Sequence, residues 1–260
     1  MRKKAGVVAS CGGKRISRAV RSAGIFYSGI TLALKKEQNM DESVLFSLRL
    51  SLQVAIAATV LVVVVGTWMS FILARMNFRG KEILDILLTL PLVLPPTVTG
   101  YYLIIFMGRN GLLGKYLFRW TGWSIMFTWY AAVLASFIVA LPLMIKTTRA
   151  AIESVDTNLI KVSYTLGHGE LKTFFRVILP LSKKGMIAGA VLSFARAMGE
   201  FGATLMVAGN IPGKTNTMPI AIYTSASGGE WPKANMMVLF FTLVSGAFLY
   251  IANKFSKKGI

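Results

Sequence analysis

Five stretches of this chain combine length, low polarity and near absence of charge. Residues 50–74, 86–108, 122–145 and 234–253 hold no charged side chain, and 186–208 holds only Arg196 and Glu200. A helix needs about 20 apolar residues to cross about 30 Å of hydrocarbon, and each stretch meets that length. Helices buried in a soluble protein would carry a polar stripe, whereas these are apolar nearly all round. Only 15% of residues are charged, against about 25% in soluble domains. The expectation is an all-α membrane protein with five core transmembrane helices and lipid as their surroundings.

The rest of the composition removes whole classes of chemistry. The only cysteine is Cys11 and the only histidine is His168, which excludes a disulfide framework, a thiolate cage and a multi-histidine zinc site. No Ser/His/Asp arrangement stands out, so no catalytic residue, metal site or bound cofactor is expected in this chain. A net charge of +19 could point to nucleic acid, but nine of the 29 basic residues lie in 1–40 and seven lie between the third and fourth spans. Charge concentrated in loops orients membrane proteins. With the 146–184 loop inside, thirteen Lys and Arg fall in inside loops and five in outside loops. This predicts a multi-pass protein of the cell membrane with its N-terminus outside and its C-terminus in the cytoplasm.

Residues 1–39 break that pattern, because nine basic side chains would have to be translocated. The apolar run 24–34 is too short to span and lacks an A-x-A cleavage site. The reading is a basic N-terminal extension to a 40–260 transmembrane domain, with translation expected to begin at Met40, just before Asp41 and Glu42.

The 146–184 loop exceeds simple connector length. Leu159, Val162, Ser163 and Leu166 recur at helical spacing, Gly167-His168-Gly169 supply a turn, and a second short helix brings Phe174, Phe175 and Ile178 onto one face. Pro180 is expected to end it. Such a helix–turn–helix unit suits docking of a soluble partner. This loop resembles the EAA loop of ABC importer permeases: E-A-A, three residues, Gly, nine residues, Ile, any residue, Leu-Pro. Gly167, Val177 at the Ile place, Leu179 and Pro180 fit the spacing, while the triplet reads Lys161-Val162-Ser163. The resemblance implies a coupling helix seated in a separate ATPase, with Lys161, Ser163, Gly167, Gly169, Phe174, Phe175, Leu179 and Pro180 as the coupling residues.

Two further stretches, 87–114 (LLTLPLVLPPTVTGYYLIIFMGRNGLLG) and 193–224 (SFARAMGEFGATLMVAGNIPGKTNTMPIAIYT), resemble the permease subunits of molybdate importers, and the similarity runs from about 41 to about 255. It implies the type I ABC importer transmembrane fold and a homodimer working with two ABC ATPase subunits and an extracytoplasmic molybdate-binding protein. ATP and Mg would then sit on the partner ATPase. Sulfate and thiosulfate permeases share the Gly-Asn-Ile-Pro neighbourhood and are the nearest alternative.

The same residues make physical sense as a path. Pro91, Pro95 and Pro96 each remove a backbone donor from the second span, with Thr97 and Thr99 nearby to satisfy the freed carbonyls. The choice lies between a kinked packing helix and a direct anion contact. Arg196 and Glu200, one helical turn apart, can neutralise each other; intramembrane charges face a bundle interior or cavity, and the pair is either a structural lock or a gate. Gly209 to Thr215 looks like a P-loop but has three residues between its glycines where four are needed. An outside turn bearing Asn210, Pro212 and Lys214 is expected instead. Gly185 and Gly189 permit close helix approach, either at a dimer seam or within one subunit.

An ion-coupled secondary transporter is the alternative of another class; it calls for inverted repeats and intramembrane carboxylate ion sites, against one Glu200 with a compensating Arg196. A membrane enzyme lacks its catalytic set. Intact-mass measurement of the native protein is expected to give a species starting at Met40, and one starting at residue 1 would overturn that expectation.

Overall fold

The computed structural model describes residues 42–258; residues 1–41, including Cys11 and the proposed start at Met40, lie outside the described residues. By contact density the chain divides into Met1–Leu45 and Phe46–Ile260. The second unit carries the helix packing, and its helices follow from the apolar runs. Helix α1 covers Glu42–Arg75, α5 Trp129–Glu153, α7 Glu170–Met198 and α10 Trp231–Lys258. All four contain a stretch long and apolar enough to cross a membrane.

The second expected span, 86–108, is two helices: α2, Lys81–Val93, and α3, Pro96–Met107. Leu94 is extended (φ −69°, ψ 139°) and Pro96 opens α3. The cause is the restriction of the residue before proline to extended backbone, applied at Leu94 and again at Pro95. Pro91 is carried inside α2. The fourth expected span, 186–208, is also interrupted: α7 ends at Met198, Gly199 to Phe201 are irregular, and α8 covers Gly202–Ala208. The connections contain helices that the sequence pattern did not announce, α4 at Gly114–Thr121 and α9 at Met218–Ser227. The short α6, Thr157–Thr165, begins where Asp156 accepts a hydrogen bond from the Asn158 N–H (2.8 Å).

Helix α5 is the central post. In its most apolar stretch 67% is buried, against 11% in α10. Its small residues Ala131, Ala132, Ala135, Ser136 and Ala140 are all almost wholly enclosed, which lets neighbours approach closely. Gly66 of α1 faces Met144, and the Ser70 hydroxyl donates to the Ile145 carbonyl (3.1 Å). On α7, Gly185 meets Ala151 and Gly189 meets Thr147 and Met144. Those two glycines therefore serve packing of α7 on α5 within the subunit, and the dimer-seam alternative is not needed to explain them. Phe194 of α7 stacks on Phe248 of α10 (3.7 Å between centroids).

Overpacking a core costs about 1–3 kcal/mol. Gly189→Val, which forces a branched side chain against Thr147 and Met144, is expected to lower the thermal stability of the purified protein. Gly246→Val, at a position with open space around it, should leave it within error; equal melting of the two variants would contradict the packing described.

Candidate functional site

The two helix interruptions lie against each other. A β-carbon on Gly202 would come 2.9 Å from Pro96 Cβ and 3.4 Å from the Thr97 nitrogen, and one on Gly100 would come 3.0 Å from Ala203 Cα. Interrupted backbone at membrane depth is tolerated where protein or a water-lined cavity covers it. Here α3 and α8 cover each other. The Pro95 carbonyl accepts from the Val98 and Thr99 amides (2.9 and 3.1 Å) and, more weakly, from the Thr99 hydroxyl (3.5 Å). Thr99 is buried, whereas Thr97 and Pro95 are exposed; the Thr99 hydroxyl turns to the Pro95 carbonyl at the start of its own helix, not to the carbonyls of Leu87, Pro91 and Leu92 that the prolines leave free.

Arg196 and Glu200 meet at 2.7 Å, with the Glu200 side chain 1% exposed and that of Arg196 30%. Glu200 does more than neutralise the arginine: its other carboxylate oxygen accepts from the Ala203 N–H (2.8 Å), one of the amides that a helix start leaves unpaired. A single buried carboxylate thus serves Arg196 at the end of α7 and the first turn of α8. That double use disfavours a free anion-binding arginine at this point. The structure accordingly gathers Pro96, Thr97, Thr99 and Glu200 around one crossing, with Arg196 attached through Glu200.

Beyond α8 the chain folds tightly around a residue the sequence pattern passed over. The Thr215 hydroxyl accepts from the Ile211 amide (3.0 Å) and donates to the Gly209 carbonyl (3.3 Å), and Thr215 is fully buried. Asn210 donates from its side chain to the Thr224 hydroxyl (2.9 Å). Pro212 and Lys214 are exposed. Lys214 borders an open cleft of about 660 Å³ with Gln53 and Trp129. Met218 N–H, at the start of α9, donates to Ser51 of α1 (2.7 Å), which fixes this turn to the same end of the molecule as the start of α1.

At the opposite end, α6 and the start of α7 form an elbow. Gly167 has φ +78°, a left-handed conformation that a side chain strains. The inward face is Ile160, Ser163, Thr173, Phe174 and Ile178, all at most 3% exposed. Phe71 of α1, Ile152 of α5 and Val155 complete this small core, and the Phe71 and Phe174 rings lie 4.5 Å apart. Lys161, Gly169 and Pro180 are exposed and Leu179 is partly buried. Leu159, Val162, Leu166 and Leu171 form an exposed apolar surface. The Ser163 hydroxyl lies 2.9 Å from Thr173 Oγ1 and 3.2 Å from His168 Nδ1. Loss of hydration, and then the cations Lys172 and Arg176, hold the His168 imidazole below the ordinary histidine range, which favours the neutral ring.

Two expectations for this elbow are corrected. Pro180 does not end the helix, because α7 passes through a π-helical turn at Phe174–Ile178 in which the Leu179 N–H reaches back five residues to Phe174. Pro180 then falls in the first turn of the α-helical stretch that follows, where a missing donor costs least. The inward face is also narrower than expected: Phe174 and Ile178, four residues apart, point inward, while Phe175 is 59% exposed. Sequence reasoning also missed an ionic tie at this end. Asp85 of α2 binds Lys146 (3.0 Å) and Arg149 (2.9 Å) of α5, and Arg149 also binds Glu153 (2.7 Å). Partners 61 and 64 residues apart carry no local signal.

Comparison with known proteins agrees with this architecture. The molybdenum transport system permease protein ModB of Haemophilus influenzae is 42% identical over 82% of this chain and 93% of its own length. ModB of Escherichia coli K12 is 44% identical over 75% of this chain and 86% of its own. Among solved structures, the inward-facing MetNI methionine ABC transporter has a subunit that superposes with a TM-score of 0.68 at 14% identity, covering 85% of this chain and 97% of that one. The fold is that of a type I ABC importer transmembrane subunit. Residues 63–258 match the family described as binding-protein-dependent transport system inner membrane component, and the chain belongs to that family.

Proposed function

We propose that this chain is the membrane permease subunit of an ATP-driven importer that carries molybdate into the cytoplasm, with tungstate as the nearest chemical relative of the cargo. The observation that carries this reading is the 42–44% identity to permeases named for molybdenum transport, spread over most of both chains. Sulfate is disfavoured by the same likeness. The subunit is non-catalytic and binds no cofactor of its own; ATP and Mg belong to a partner ATPase.

In this reading the working assembly is a lipid-embedded homodimer of this chain, two ATPase subunits and an extracytoplasmic binding protein, with no nucleic acid. The N-terminus lies outside and the C-terminus inside, so that the α6–α7 elbow faces the ATPase and the turn with Asn210, Pro212 and Lys214 faces the binding protein. The exposed apolar row Leu159, Val162 and Leu166 supports the first assignment, because it offers an amphipathic helix to a groove. ATP binding closes the ATPases, the elbows follow, and the two bundles switch between inward-open and outward-open states. The crossing of α3 with α8 supports a place beside the path. Irregular backbone there is held by Glu200 and by mutual packing, with Arg196 kept neutralised. Weak rather than tight anion contact suits a path that must release its cargo.

The direct test is ATP hydrolysis by the complete complex, reconstituted with its binding protein and titrated separately with molybdate, tungstate and sulfate. Stimulation by molybdate or tungstate is expected, and Gly167→Pro should reduce it about tenfold or more, a coupling change of about 1.4 kcal/mol. Stimulation by sulfate alone would replace the substrate, and solute movement without an ATPase would end the importer reading. Pro95→Ala and Pro96→Ala, together, are expected to lower molybdate uptake more than the yield of assembled complex; equal losses would reduce the kink to a folding role.

A further inference from the structure

We infer that Ser163 is a positioning residue for transport: through the Thr173 hydroxyl it fixes α6 to the base of α7 so that the two move as one body. This rests on the permease reading above. Helix α6 has nine residues, too few to hold its shape in water unaided, and its outward side is kept for a partner. What holds it is its inward side. Ile160 packs among Phe174, Ile178, Phe71 and Ile152, which sets the distance between helices but leaves roll about the α6 axis weakly restrained, since apolar contact has no direction.

The hydroxyl pair supplies the direction. Ser163 is 3% exposed and Thr173 is fully buried, 2.9 Å apart, beside the apolar cluster of Ile160, Phe174 and Ile178 and with His168 Nδ1 as a second polar neighbour of Ser163. Breaking the bond there leaves a buried hydroxyl without its partner, which costs more than the bond returns in water. The turn strengthens the hold: the His168 amide donates to the Ser163 carbonyl (3.2 Å), His168 Nδ1 lies 3.2 Å from Ser163 Oγ, and the Thr173 amide donates to Gly169 (2.9 Å). The residue after Thr173 is Phe174, whose ring meets Phe71 and, edge-on at 6.4 Å, Trp68. A rolled or displaced α6 is thereby passed to α7 and to α1 together.

The test uses the complete complex with ATPase and binding protein in proteoliposomes. Ser163→Ala, Thr173→Val, their double variant and Thr173→Ser are compared for molybdate carried per ATP hydrolysed. Amide exchange over 157–165 is followed in the same purified complexes. Each single variant that removes a hydroxyl is expected to lower the transport ratio about fivefold, the shift that one lost hydrogen bond supplies, and to speed exchange in α6. The double variant should fall no further, and Thr173→Ser, which keeps the hydroxyl, should stay near wild type. Ratios within twofold of wild type in both singles, or a double loss equal to the product of the singles, would overturn the tether. So would a fall in transport with α6 exchange unchanged. A wild-type complex that hydrolyses ATP but moves no molybdate would sink the substrate reading instead, and the tether is then decided by exchange alone: faster in the variants supports it, unchanged refutes it.

Discussion

Everything at the centre of this molecule depends on the close approach of α3 and α8, where Pro96 lies on Gly202 and Gly100 lies on Ala203. Two helices are interrupted there, and interrupted backbone inside a membrane must find its hydrogen bonds within the protein. Residues with little or no side chain make that possible. They let each broken helix act as the cover of the other, and Glu200 then completes the arrangement by pairing its charge with Arg196 and accepting from the Ala203 N–H in the first turn of α8. A larger side chain at either glycine would separate the helices and expose both breaks at once.

The two ends of the subunit are built differently around this centre. One end is tied by charges and a small aromatic core: Asp85 bridges α2 to two cations of α5, and Phe71 and Phe174 join α1 to α7. The other end is tied by neutral hydrogen bonds: Thr215 and Ser51 accept from the Ile211 and Met218 amides, and Asn210 donates to Thr224. The elbow is thus anchored to three long helices, whereas the turn at the far end is braced mainly on itself and on α1.

Much of this was legible in the sequence, and the failures share a cause. The apolar runs gave the long helices because length and lack of charge need no tertiary information. The turn of the elbow was legible because Gly167 favours a left-handed backbone, whereas Pro180 misled because it sits where a missing donor costs little. The inward turn of Phe174 against the outward turn of Phe175 was not legible, since adjacent helical positions lie about 100° apart and two like side chains do not say which of them meets Phe71. Arg196 and Glu200 suggested an unbroken helix turn; the helix instead ends between them, at Met198, and Glu200 lies in the break, where its carboxylate bonds the Ala203 amide. Asp85 was invisible for a simpler reason, as its partners come from a helix far along the chain.

The glycines of α7 have a mechanical consequence. Thr147 and Ala151 of α5 occupy the hollows left by Gly189 and Gly185, like two pegs in two sockets one helical turn apart. Axial slip by a single residue's rise, about 1.5 Å, would unseat both pegs together, so the two helices resist sliding far more than they resist tilting as a pair. The two helices are therefore keyed to each other, and α5, the most enclosed of the four long helices, shares any axial displacement of α7.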